Sequence, residues 1–103
     1  MTPDLAIEYI VRRMAELCQT DYHLRFRHFR LGPQEQRYIQ AYTDLFILVD
    51  QPVDAYIHSD IGVFDLTMDE ADELQYEHRG MIHLTNYSIF PNHIRFIQVI
   101  PKF

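Results

Sequence analysis

The sequence predicts a mainly β protein: a single-domain antiparallel β-sandwich of six to seven strands, with an N-terminal α-helix packed on a sheet. Three observations predict it. Apolar residues recur at helical spacing only near the N-terminus, and after Thr20 the period shortens to two. Turn-forming clusters (Gly32-Pro33, Asp50-Gln51-Pro52, Ser59-Asp60, Arg79-Gly80, Pro91-Asn92) then punctuate the chain at short intervals. Finally, 103 residues of which 48% are hydrophobic make one domain with a real core and no need of staples. The expected layout is one domain over 1–103, with a helix over 3–19 and a sandwich over 22–100.

The helix begins at Thr2-Pro3-Asp4. Threonine caps, proline is tolerated at the first helical position, and Asp4 complements the positive end of the helix dipole. Ile7, Ile10, Val11, Met14, Leu17 and Cys18 form one apolar stripe, which must pack on something. Glu8, Arg12 and Glu16 lie four apart on the other face, which is mixed in sign and so unlike a membrane-surface helix. The stripe is therefore expected to cover a sheet, with the Cys18 thiol buried and inert.

The first strand is expected over Tyr22 to Arg30. Its alternation sets Tyr22, Leu24, Phe26 and His28 on one face and His23, Arg25 and Arg27 on the outward one. A long second strand is expected near Arg37 to Val49. Its last five residues, Leu45 to Val49, are apolar without a break, which calls for cover on both faces. Val53, Ala55 and Ile57 alternate with Asp54, Tyr56 and His58, and Val63 to Leu66 makes a short strand. Thr67 to Glu70 has the spacing of a capping box, in competition with a strand at Leu74 to His78. Met81 to Leu84 leads to Thr85-Asn86, and a last strand runs from His93 to Ile100 until Pro101 stops it.

Composition narrows the function. A zinc site needs three or four converging nitrogen or sulfur ligands, and the six histidines show no such spacing. His28, His58 and His83 sit beside apolar strand positions and are expected to be core or rim residues. The acids of the 65–77 region contain no calcium-loop pattern. Ser59 and Ser88 fall in expected turns without a nucleophile elbow, and three glycines build no phosphate-cradling loop. No enzyme and no cofactor are therefore expected. With one cysteine, Cys18, no intramolecular disulfide forms, which suits a reducing compartment. No signal peptide pattern opens the sequence, and the longest apolar run is too short to span a bilayer.

Charge and residue type point instead to contacts between proteins. Eight of the nine basic residues are arginine, beside seven tyrosines, seven phenylalanines and four methionines; these types are enriched at protein interfaces, where lysine is depleted. Between Tyr38 and His78 there are ten acids and no lysine or arginine, while the remainder holds nine bases and five acids, for a net charge of -6. Such a dipolar chain suits neighbour-to-neighbour association. The candidate interface residues are His23, Arg25, Arg27 and Arg30 on the basic strand, with Tyr38 and Tyr42 on the next. Three readings compete for the arginines: pairing within the fold, docking on another subunit's acidic surface, and, behind these, single-stranded nucleic acid along 23–30. The acidic balance and the small size of the basic patch place nucleic acid last.

The opening helix "PDLAIEYIVRRMAELC", the strand "RFRHFRL" and the ending "GMIHLTNYSIFPNHIRFIQVIPKF" together resemble, in layout, small virion accessory proteins of tailed bacteriophages and related mobile elements. The resemblance implies a compact sandwich that assembles with itself or with a capsid or tail neighbour. The expected function is thus a non-enzymatic interaction module, a homo-oligomer or a docker on a protein partner, cytoplasmic or virion-associated. The alternative is a carbohydrate- or peptide-binding module using the tyrosine-bearing strands.

Overall fold

A computed structural model describes residues 3–49, 54–60, 62–65 and 77–102, the side chains of 63–65 excepted. Among those residues the one helix is α1, Pro3–Glu16. The expected end at Gln19 overshoots, because Cys18 takes a left-handed φ of 56°. The Gln19 N–H then bonds the Met14 carbonyl at 2.9 Å and the Cys18 N–H bonds that of Ala15 at 3.1 Å. This is the Schellman closure, with cysteine where glycine is usual. Apolar spacing continues through Leu17 and Cys18, so periodicity alone runs past the true end. Cys18 is exposed, against the expected buried thiol. Of the stripe, Ile10 and Met14 are buried together with Ala6, while Val11 and Leu17 stay about half exposed, at 56% and 47%.

Among the described residues eight strands follow: β1 Tyr22–Leu31, β2 Gln36–Gln40, β3 Leu45–Leu48, β4 Ala55–Ser59, β5 Gly62–Asp65, β6 Glu77–His78, β7 Met81–Asn86 and β8 Asn92–Pro101. They form two antiparallel four-stranded sheets, β1-β8-β3-β6 and β2-β7-β4-β5. The mainly β sandwich with an N-terminal helix is therefore observed. The long strand expected over Arg37–Val49 is in fact two strands in different sheets. The chain breaks between them at Tyr42, whose φ is 56°, and a bond from the Asp44 N–H to the Ala41 carbonyl closes the turn at 2.9 Å. Alternating apolar residues read the same whether a strand continues or crosses to the facing sheet, so the pattern hid the crossing. The capping box at 67–70 lies outside the described residues, as does the competing strand except at Glu77–His78.

Two apolar clusters make three layers. Phe29, Leu31, Ile39, Phe46, Leu48, Ile57, Ile82, Leu84, Ile94 and Phe96 fill the space between the sheets. Leu45, Ile47, Val49, Ile97 and Val99 meet Ala6, Ile10 and Met14 of α1 on the outer face of the first sheet. The run 45–49 is buried throughout because its odd residues face the helix and its even ones face the second sheet. Tyr9 Oη and the Arg13 guanidinium both donate to Glu77 Oε1, at 3.0 and 2.9 Å, tying the far flank of α1 to β6.

Polar groups close the ends of the sandwich. Fully buried Asn86 reaches the carbonyls of Leu31, Gly32 and Phe90 with its amide nitrogen. Its carbonyl oxygen accepts from the Ser88 N–H at 3.0 Å and from Asn92 Nδ2 at 3.2 Å. One side chain thus joins the β1–β2 turn to the β7–β8 turn. Gly80, with φ 78°, turns the chain between β6 and β7, and a Cβ there would collide with the Asp60 carboxylate.

Candidate interaction surface

β1 stands at the edge of its sheet, paired along one side with β8 over its whole length from Tyr22 to Leu31. Among the described residues, nothing pairs with its other side. It is ten residues long, against five for β2, which edges the second sheet. An open edge of this length offers a row of backbone donors and acceptors to a further strand.

The faces of β1 differ from the expected ones. Phe29 and Leu31 are buried between the sheets, so the inner face is the one that also carries His23, Arg25 and Arg27. The other face, with Leu24 and Phe26, lies on the helix side of the sheet, and Phe26 is 65% exposed. The reason is the reach of the second sheet: it covers Phe29 and Leu31 and leaves His23 and Arg25 in solvent. Arg27 is engaged within the fold. It lies 5.2 Å from the Phe29 ring centroid and donates to Gln98 Oε1 at 2.9 Å. Gln98 Nε2 in turn donates to Asp44 Oδ2 at 2.6 Å, linking the basic strand to one of the acids of the acid-only segment.

Arg30 points to the opposite face from Arg25 and Arg27. There the register sets Arg30 beside His93 and His28 beside Arg95, a block of four basic side chains across β1 and β8. The two imidazoles touch, His28 Nε2 to His93 Nδ1 at 2.7 Å. The sequence did not show this block, because its halves lie 65 residues apart. A cavity of about 270 Å³ opens next to it, lined by Pro3, Phe26, Val49, His28 and Arg95 among others.

The tyrosines are elsewhere. Tyr38 lies on the outer face of the second sheet, its ring stacked on His83 at 4.2 Å and 5°, with Tyr56 against Tyr87 at 4.6 Å on the same sheet. Tyr42 is 80% exposed in the turn after β2, not on a strand. The six candidate residues therefore do not share one surface: four ride on β1, split between its faces, and the two tyrosines lie apart from them and from each other.

Histidine placement also departs from expectation. His28 and His58 are exposed and His83 is half-buried, while the buried histidine is His78, with none of its surface open. Its Nδ1 meets Ser59 Oγ at 2.9 Å across the two sheets. Ser59 is a buried strand end and not a turn residue. A serine–histidine contact sealed in the core is a polar tie between sheets. Among the described residues no three histidine, cysteine, aspartate or glutamate side chains gather as a metal site, and no helix is long and apolar enough to cross a membrane. Comparison with protein-family models, with curated proteins and with solved structures finds no match.

Proposed function

We propose that this protein is a non-enzymatic assembly module whose basic edge strand β1 docks on the acid-rich part of a second copy. The observation that supports it most is the single sign of an open edge: β1 carries Arg25, Arg27, Arg30, His23 and His28 and no acid. Two such edges repel each other, so β1 does not pair with itself. It admits a strand of opposite charge. The chain supplies that strand's chemistry itself, in the ten acids between Tyr38 and His78. A contact between two different patches of one chain is heterologous and closes into rings or runs on as filaments. That behaviour agrees with the layout resemblance to virion accessory proteins. A carbohydrate face on the second sheet is less supported, since Tyr38 already stacks one ring face on His83 and the Tyr56 ring already packs, tilted, against Tyr87.

The test is sedimentation at low and high salt. The wild-type mass is expected above the 12.4 kDa monomer at low salt and to fall toward it as salt rises. Arg25→Glu with Arg30→Glu should be monomeric at both while keeping the wild-type unfolding midpoint. These two side chains lie on opposite faces of β1, so equal sensitivity to each single change marks strand pairing and not docking of one face. A wild-type protein that stays monomeric at high concentration and low salt overturns the proposal.

A further inference from the structure

We infer that the turn between β7 and β8 is a membrane-docking tip: Ile89 and Phe90 enter the surface of an anionic phospholipid bilayer, and Arg30 and His93 behind them meet its headgroup phosphates. Among the described residues Ile89 and Phe90 are the one adjacent pair of large apolar side chains held open to solvent, at 75% and 67%. The turn that carries them is braced from within. Asn86 Nδ2 donates to the Phe90 carbonyl at 2.9 Å, the Phe90 N–H to Ser88 Oγ at 3.0 Å, and Gln34 Nε2 to the Tyr87 carbonyl at 2.8 Å. A tip ordered in advance loses less freedom when it inserts.

What stands behind the tip decides the partner. Tyr87 adjoins it and packs against Tyr56 at 4.6 Å, and amphipathic rings of this kind settle where hydrocarbon meets water. Next, β1 and β8 set exposed Arg30 opposite exposed His93, with His28 opposite Arg95 in the following row. His93 comes three residues after Phe90, a reach of roughly 10 Å at most along a strand. Apolar apex, aromatic pair and cations thus follow one another over the depth of a bilayer surface, where an inserted apolar group sinks about 5–10 Å and cations meet anionic headgroups. Three described acids stand at this end: Glu35, held by Arg37 and the Gly32 N–H, Asp54 beside Tyr87, and Asp4 at the start of α1. None of them lies in the Arg30–His93 row. The net charge of the chain is -6, but at 0.1 M salt charges beyond about 10 Å are screened, so those close to the apex govern. This contact uses the end of the sandwich and goes beyond edge docking, which uses the length of β1.

The experiment is co-sedimentation of the full chain with vesicles of phosphatidylcholine alone and of equal parts phosphatidylcholine and phosphatidylserine, against a vesicle-free control that accounts for self-assembly. The protein should pellet with the mixed vesicles, less so as salt rises, and stay in solution with phosphatidylcholine alone. Ile89→Ser and Phe90→Ser should each weaken binding about tenfold or more, the scale of one large apolar side chain leaving an apolar phase. Arg30→Gln should weaken it about fivefold, the scale of one cation at an anionic surface. Both serine variants change exposed positions outside β1, so their unfolding midpoints and their self-association should match the wild type. Phe90→Trp, in a chain with no other tryptophan, should bind like the wild type and shift its emission to the blue. Failure to pellet with the mixed vesicles overturns the inference, as do serine variants that bind like the parent or a bound tryptophan variant with unshifted emission. Serine variants that lose self-association would make the tip a protein contact and overturn it too. Release from the vesicles by inorganic phosphate, with ionic strength held constant by chloride, would assign the basic row to free phosphate and likewise overturn it.

Discussion

Asn86 is fully buried, and its side-chain amide nitrogen reaches three backbone carbonyls from two different turns. Replacing it by alanine removes the side-chain donor to the Leu31, Gly32 and Phe90 carbonyls, of which that of Gly32 keeps the Glu35 N–H, and takes away the acceptor of the Ser88 N–H. Asn86→Ala should therefore lower stability by about 2–4 kcal/mol, measured as a fall in the denaturation midpoint at constant slope. A loss below about 0.5 kcal/mol would mean that the junction does not depend on this side chain. Glu35 works at the same end of the molecule. Its carboxylate accepts from the Gly32 N–H at 2.8 Å and pairs with Arg37 at 2.9 Å, the first of these being the larger cause that holds its pKa below the ordinary 4.5. A depressed carboxylate contributes stability above its unfolded value and loses it as pH falls through the folded one. The difference in stability between wild type and Glu35→Gln should thus be fully present at neutral pH, begin to shrink near the ordinary 4.5 and be lost as pH falls through the lower folded value, read from unfolding midpoints across that range. Neither role shows in the local sequence: Asn86 reads as a strand end, and Glu35 reads as a polar residue after a Gly-Pro turn.

α1 shows how far periodicity carries and where it stops. Its start follows from Pro3 and Asp4, its amphipathic stripe from spacing and its place on a sheet from the mixed sign of its polar face, but the width of the buried stripe does not: Val11 and Leu17 belong to the stripe and are half exposed. The buried row is Ala6, Ile10 and Met14, because a helix on a flat sheet touches it along one line. Removing α1, by starting the chain at Asp21, uncovers Leu45, Ile47, Val49, Ile97 and Val99. That chain should aggregate or lose its cooperative transition, as light scattering and thermal unfolding would show. A soluble monomer with the parent midpoint would make α1 a free arm. β3 is the element most legible beforehand: five apolar residues in a row require cover on both faces, and α1 and the second sheet provide it. β2 is the least, since its separation from β3 rests on one left-handed residue, Tyr42.

For the whole molecule, the segregated charge takes on a shape. Most of the arginines of the basic half lie on β1 and its neighbour β8 or on α1, and β1 is an edge. One described strand of contact joins the two halves within the fold at the sheet, from Arg27 through Gln98 to Asp44. Arg13 with Glu77 makes another at the helix, where the carboxylate raises the guanidinium pKa further. Both of the ranked readings of the arginines thus have a physical basis: Arg27 is engaged inside, whereas Arg25 and Arg30 face outward from an unpaired edge.

What the sequence determined by itself is local. Side-chain period follows from the backbone geometry of a few neighbouring residues, so helix, strands, the mainly β class and the doubly covered run 45–49 could be read directly. What the tertiary structure decided is which strands are neighbours. Tyr22 pairs with Pro101 and Leu31 with Asn92, so the basic strand is held along one side by the last strand of the chain and left open on the other. That pairing also assembles the His28, Arg30, His93 and Arg95 block and turns Arg25 and Arg27 toward the sandwich side. The physical reason is that hydrogen bonds between strands join residues far apart in sequence, and an alternating pattern is compatible with many partners. Only the packing of both apolar faces at once selects one of them.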